Sequence, residues 1–337
     1  MGKSSRDKRD IFYRLAKEEG WRARSAYKLL QIDDEFKILS KDHNGNPLTR
    51  VVDLCAAPGS WSQVLSKKLW EPCAEADRQK VKIVAVDLQA MAPIPGVIQL
   101  QGDITSRQTA DQVIQQFEGE KAQLVVCDGA PDGTQPLLTG LHDLDEYVQS
   151  HLVLAALTIC ARILENGGTF VAKVFRGREA GLLGAQLRCL FAGDVVFAKP
   201  SSSRNSSLES FVVCREFRGD TVLPSSLTST SLMDHKSGDD SGDSLMGWLS
   251  GLDQLTPEQR ILLPFVACGD LSGYDADSCY ELGDNYTLLE PVQPPLSAAY
   301  QDNCRQARIV TPGNMKQRDN RKVDEILSQQ MKEMQFS

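Results

Sequence analysis

The spacing of apolar residues changes character along the chain. Ile11 and Leu15, with Phe12 beside them, recur at helical intervals until Gly20 interrupts. A second helical pattern follows in Ala23, Ala26, Tyr27 and Leu30, with Arg22, Arg24 and Lys28 on its other faces. After Asn44-Gly45-Asn46-Pro47, short apolar runs alternate with longer amphipathic stretches. The runs predict strands at 50–55, 82–87, 97–100, 123–128, 169–175, 194–198 and 211–214. The stretches predict helices near 60–69, 107–117, 144–164 and 179–191. Alternation of this kind specifies an α/β fold with a mostly parallel, seven-stranded sheet flanked by helices. Only the serine-rich 200–207 joins the last two strands, which predicts a terminal antiparallel hairpin.

Beyond this region the pattern weakens. Residues 219–247 are rich in Ser, Asp and Gly and read as a flexible linker. Residues 248–337 regain apolar content at Trp248, Ile261-Leu262-Leu263 and Phe265-Val266, and are expected to form an extended, partly disordered appendage. The expected organisation is thus a domain over 1–218, with basic helices in 1–40, then linker and appendage. Val323, Ile326, Leu327, Met331 and Met334 keep helical spacing, which suits a partner-docking helix or, more commonly, a marginal or disordered tail.

Composition narrows the class. The 337 residues are 41% apolar and 24% charged, as in ordinary globular proteins. The apolar run 152–161 is far too short to span a membrane, and the basic N-terminus is not a secretory signal. Nine cysteines stand singly, with no C-x-x-C pair, which argues against zinc, any other metal centre and disulfides. Such thiols suit a reducing compartment, and a cytoplasmic location is expected. The net charge of −8 is unevenly spread. Residues 1–218 carry 28 basic against 27 acidic side chains, while 219–337 carry 9 against 18. Basic residues cluster in 1–30 and again at Lys173, Arg176, Arg178, Arg188, Lys199 and Arg204. Two basic clusters on a near-neutral body suit a polyanion.

Asp53-Leu54-Cys55-Ala56-Ala57-Pro58-Gly59-Ser60-Trp61-Ser62 carries the first chemical signal, leaving a strand and opening a helix. Small residues and Gly59 admit a ligand close to the backbone, and the helix start presents unpaired N–H groups. Asp53, Asp87, Asp103 and Asp128 end neighbouring strands, along the crevice where open α/β sheets bind ligands. Asp87 suits a ribose diol, and Gly102-Asp103 an adenine amine. An acidic crevice of this kind favours a cationic ligand with a diol and an adenine, which describes S-adenosylmethionine. A pyrophosphate-bearing dinucleotide fits it poorly.

Taken together, Arg22–Leu29, Asp53–Gln63, Val86-Asp87-Leu88, Gln101-Gly102-Asp103, Cys127–Pro131, Ala172–Phe175 and Ser203–Glu209 resemble the FtsJ/RrmJ-type ribose 2′-O-methyltransferases over about residues 10–215. Ser5–Asp10, Gly140–Tyr147 and Pro264–Asp275 are similar to the eukaryotic cytosolic branch, which acts on tRNA anticodon loops. The resemblance implies a Rossmann-like methyltransferase fold and S-adenosylmethionine contacts at Gly59, Trp61, Asp87, Asp103 and Asp128. It implies a catalytic set of Lys28, Asp128, Lys173 and Glu209. The expected substrates are the wobble nucleotide and the one two before it. Separate partners are implied for the two positions, a helical-repeat scaffold and a WD-repeat protein. Thr134-Gln135-Pro136-Leu137-Leu138 departs from the family pattern as a short insertion beside the aspartate loop.

Ribose methylation must align a weak nucleophile with an activated methyl group and remove a proton. Lys173, a cation interrupting an apolar strand, is expected to accept the proton. The other expectation for it is a charged side chain that only steers the hydroxyl. Lys28 would hold substrate, and Asp128 and Glu209 would orient the ammonium groups. RNA contacts are expected from Arg22, Arg24, Arg176, Arg178 and Arg204. Two other functions compete: a ribosomal-RNA or cap ribose methyltransferase, and a non-catalytic RNA-binding scaffold.

Overall fold

The computed structural model describes residues 7–130, 142–177, 180–219, 264–283 and 286–293. Two helices, α1 (Ile11–Glu18) and α2 (Ala26–Phe36), precede the sheet. Asp10 caps α1 by accepting from the Tyr13 backbone N–H at 3.0 Å. The sheet strands are β1 (Arg50–Leu54), β2 (Lys82–Asp87), β3 (Val97–Gln101), β4 (Ala122–Cys127), β5 (Leu164–Phe175), β6 (Val195–Pro200), β7 (Glu209–Cys214) and β8 (Phe265–Cys268). Helices α3 (Ser60–Leu65), α4 (Arg107–Gln116), α5 (His142–Ile163) and α6 (Ala180–Leu190) lie between them. A π turn over Ser66–Trp70 extends α3.

The strand order is β3-β2-β1-β4-β5-β7-β6-β8. β1 to β5 are mutually parallel, and β7 runs antiparallel to both β5 and β6. The chain moves one way from β1 to β3 and the other way from β4, so the strand order reverses at β1 and β4. In open α/β sheets ligands bind at such a switch point, beyond the carboxyl ends of the strands. Every residue of β4 is buried, as a strand covered on both faces requires. One core layer joins the sheet to α4, α5 and α6 through Val125, Phe170, Leu157 and Leu187. The other joins it to α2 and α3 through Leu124, Phe211, Leu29, Ile32 and Trp61.

All seven expected strands are present. β5 starts earlier than the pattern suggested, because Leu164 already pairs with Ala122. The additional strand, β8, pairs parallel with β6, placing Phe265 opposite Phe197 and Cys268 opposite Pro200. It covers the backbone edge of β6. The chain after β8 reaches the N-terminal helix, where Ala276 packs with Ile11 and Phe12. The Tyr280 N–H donates to the Lys8 carbonyl at 2.8 Å. Asp277 accepts from the Ser206 N–H at 3.1 Å and its hydroxyl at 2.8 Å. Residues 264–293 therefore strap α1 and the serine loop to the sheet. The 134–138 insertion and the helical pattern at 323–334 lie outside the described residues.

A buried ion pair anchors the strap. Lys17 Nζ lies 2.6 Å from Asp7 Oδ2 and donates to the Leu289 carbonyl at 2.9 Å, while the Tyr286 hydroxyl donates to Asp7. Removing one partner of a buried pair strands the other charge. Lys17→Met is expected to lower stability by about 3–5 kcal/mol in urea unfolding. An unchanged midpoint would show that the Asp7 carboxylate finds adequate solvation without the lysine.

Candidate active site

The loop after β1 has no room for a side chain at its centre. Gly59 sits at φ +102°, left-handed backbone that disfavours side chains. A Cβ there would lie 2.8 Å from Ile94 Cδ1 and 2.9 Å from Arg22 Nη1. Gly59 is also the N-cap of α3 and brings no side-chain cap to the first helical N–H groups. Arg22 grips the loop from outside. Its guanidinium donates to the carbonyls of Pro58 at 3.0 Å, Ala92 at 2.9 Å and Pro93 at 2.8 Å.

The four expected acidic residues do line the ends of β1 to β4, each in a different state. Asp87 accepts from the Ala57 N–H at 2.9 Å and the Gln89 N–H at 2.8 Å, so it shapes the loop. Asp103 is exposed and closes a turn onto the N–H and hydroxyl of Thr105. Asp53 is buried and accepts from the Ser62 hydroxyl at 2.6 Å, but its Oδ1 has no hydrogen-bond partner. Asp128 Oδ1 likewise makes no hydrogen bond, although Lys28 Nζ lies 3.7 Å away. Orphaned buried carboxylate oxygens beside a glycine-bordered loop fit a cationic ligand, and S-adenosylmethionine meets that demand. Trp61, also expected at the ligand, lies in the first turn of α3, directly after Gly59 and Ser60. Its indole is buried, donates to the Ser25 carbonyl at 2.8 Å and packs on Phe211. The side chain belongs to the core, which leaves its backbone N–H to offer a ligand.

Lys28, Asp128, Lys173 and Glu209 converge from α2, the end of β4, β5 and the start of β7. Glu209 Oε2 receives both ammonium groups, Lys28 at 2.8 Å and Lys173 at 2.7 Å. Its Oε1 accepts from the Ser203 hydroxyl at 2.6 Å. All four side chains are nearly buried, so solvent screens them weakly. Burial pushes the Glu209 carboxyl up, but the two ammonium groups outweigh it and hold the pKa far below the carboxylate range. Burial wins at Asp128 and raises its pKa, despite Lys28 and Lys173. Burial pulls Lys173 down, yet Asp128 and Glu209 pull harder and leave it raised. Lys173 therefore rests as a cation.

Several residues support the site in ways the sequence does not announce; there Lys199 is only one member of a basic cluster. Ser203 is buried inside what reads as a plain serine-rich loop. Lys199 Nζ donates to the Ser207 carbonyl at 2.6 Å and the Glu209 carbonyl at 2.8 Å, fixing that loop from behind. Gln149, buried on α5, ties the Gly129 and Lys173 carbonyls together at 3.1 and 3.0 Å. Single polar residues of this kind carry no spacing signal.

The expected RNA-contact arginines divide. Arg22 is committed to the loop carbonyls. Arg24 binds Asp10 and the Ser202 carbonyl, and Arg204 also reaches Asp10, at 3.5 Å. The two basic clusters thus meet at one buried carboxylate. Arg176 is exposed, its guanidinium lying over the Phe265 ring at 4.0 Å. Arg178 lies outside the described residues.

Asp53 supplies a pH test. Burial raises its carboxyl to about 7, helped by Asp128 and Asp87 and opposed by the Ser62 hydrogen bond. Between the ordinary value of 3.8 and about 7, the folded chain holds a proton that the unfolded chain has released. This contribution to stability is present at low pH and is lost as pH rises through that window. Asp53→Asn removes the titration. The variant is expected to melt above wild type at neutral pH, with the gap closing toward about pH 4. A gap that stays constant across this range would place the Asp53 carboxyl in its ordinary titration range.

The model of the FtsJ-like methyltransferase family matches residues 21–217. A Mus musculus tRNA (cytidine(32)/guanosine(34)-2′-O)-methyltransferase is 52% identical over 309 residues, covering 90% of this chain and 86% of its own. A Drosophila melanogaster tRNA (guanosine(34)-2′-O)-methyltransferase is 53% identical, covering 90% and 87%. A Neurospora crassa AdoMet-dependent rRNA methyltransferase is 41% identical, covering 64% of this chain and 24% of its own.

Proposed function

The chain belongs to the FtsJ-like methyltransferase family, and from that premise we propose that it methylates the ribose 2′-hydroxyl of tRNA anticodon-loop nucleotides at positions 32 and 34, as its relatives' names describe. One observation carries the reading: Lys28, Asp128, Lys173 and Glu209 meet in a single buried cluster beside the Gly59 loop. A scaffold without activity has no use for two lysines held on one carboxylate. Similarity along nearly the whole chain to tRNA enzymes favours tRNA over ribosomal RNA, where the match is lower and covers less of either protein. Partner proteins would assign the two positions, a helical-repeat scaffold for one and a WD-repeat protein for the other, and the work would be cytosolic.

S-adenosylmethionine, bound along the carboxyl ends of β1 to β4, supplies a methyl group on a cationic sulfur. The chain does the rest. The Gly59 loop and Asp87 hold the ligand's polar ends, and Asp103 meets the adenine. Lys28 and Lys173 hold the ribose hydroxyl in line with the methyl group. Glu209 fixes both lysines, so neither needs to be ordered when substrate arrives. Asp128 stabilises positive charge at the reacting centre. Lys173 Nζ takes the hydroxyl proton, after losing its own to solvent as cationic ligands enter the site.

The test uses tRNA lacking modification and labelled S-adenosylmethionine, with the protein alone and with partner-containing extract, followed by mapping of the methylated riboses. Lys173→Ala is expected to lose about 10²–10⁴-fold in rate while still binding S-adenosylmethionine. Methylation outside the anticodon loop would reject the substrate, and ligand binding without turnover would favour the scaffold.

The pH profile tests Lys173 separately. Its pKa is raised in the free protein, so kcat/KM should climb from about pH 7 to 9 without levelling off. A flat profile in that range would make Lys173 a steering cation.

A further inference from the structure

Beyond Glu209 lies a cavity of about 680 Å³ that the proposed chemistry does not use. Its walls come from the end of β5, the start of α6, the serine loop and β8, with Arg176, Lys199, Asn205, Glu209 and Phe265 among the lining residues. The Arg176 guanidinium lies over the Phe265 ring at 4.0 Å, and both side chains are exposed, Phe265 by 42%. The phenyl group covers one face of the guanidinium. Such a backed, planar cation offers its outer face for stacking a nucleobase. Arg176 follows Lys173 by three residues on an extended chain, a span of roughly 10 Å. Lys199 anchors the wall that the cavity shares with the active site.

We propose that this cavity receives a nucleotide flanking the target ribose in a single-stranded RNA loop, with its base stacked on the Arg176–Phe265 pair. The inference deepens the reading of the site as a tRNA ribose methyltransferase and rests on it. It also gives β8 a function: the strand that seals the sheet edge brings half of the platform. Single-stranded RNA is commonly read in this way, through bases laid on aromatic rings and arginine planes. An acidic protein segment would be attracted by the same charge but gains little from a flat platform.

The experiment measures methyl transfer to an anticodon stem-loop RNA by wild type, Arg176→Ala, Phe265→Ala and Phe265→Tyr. Each alanine variant is expected to raise KM for the RNA about tenfold, the scale of a lost stacking contact, with kcat and the Kd for S-adenosylmethionine unchanged. Phe265→Tyr should behave as wild type, and the double alanine variant should be no worse than the weaker single variant. Should a lower Tm show that Phe265→Ala loosens β8, Arg176→Ala, outside that strand, decides. Wild-type KM in Arg176→Ala overturns the inference alone. A wild-type protein that binds S-adenosylmethionine but leaves the RNA unmethylated even with partner-containing extract overturns the functional reading and this inference with it.

Discussion

Two ammonium groups share one carboxylate oxygen at Glu209, and the arrangement works only if three elements keep register. Lys28 comes from α2, held under the sheet by Leu29 and Ile32. Lys173 comes from β5, and Glu209 from β7, set opposite Phe175 by antiparallel pairing. A one-residue slip of either strand would turn its charged side chain to the other face. The hydroxyl of Ser203 and the ammonium of Lys199 then restrict where the carboxylate can sit. Two positive and two negative groups balance in this buried cluster, so the charge can be held away from water. Asp128 is the least well partnered of the four, and the raised pKa there records it.

The same helix joins the two halves of the site. The Ser25 carbonyl, at the start of α2, accepts the Trp61 indole N–H, and the Ser25 hydroxyl meets that of Ser60 at 2.6 Å. One turn later the helix presents Lys28. A change in the Gly59 loop is therefore transmitted to the lysine through a short, rigid path. Arg22 closes the arrangement from the loop side. Its sequence neighbourhood suggested a phosphate contact, but the three carbonyls around the Gly59 turn need donors, and a guanidinium reaches all of them at once.

The central strands were legible because strands covered on both faces must be apolar, and short length and bounding turn residues set such runs apart from a buried helix. The charged site residues were legible where they break such a pattern, as Lys173 does, or where several recur in one order, as the strand-end aspartates do. Trp61 shows the limit. A tryptophan beside a ligand loop and a tryptophan beneath it have the same sequence context, and only packing against Phe211 separates them. β8 was unreadable for another reason. It is four residues long and half-exposed, and its partner strand lies far away in the sequence. Gln149 acts through two hydrogen bonds to backbone carbonyls and Ser203 through one to a carboxylate, which leave no periodic trace.

Net charge is a poor guide to what this surface binds, and the strap shows why. Acidic residues of the tail are matched locally: Asp277 by the N–H and hydroxyl of Ser206, Glu281 by Lys8 at 2.7 Å. The Glu281–Lys8 pair is neutral as a whole and projects little field beyond a Debye length of about 8–10 Å, while neutral donors steady the Asp277 charge without cancelling it. Arg176, by contrast, rests on a phenyl ring and makes no ion pair among the described residues. Acidic chain can therefore be laid against the edge of a basic site without cancelling it. The strap closes the sheet, holds the serine loop that carries Glu209, and still leaves the cation beside the cavity facing outward.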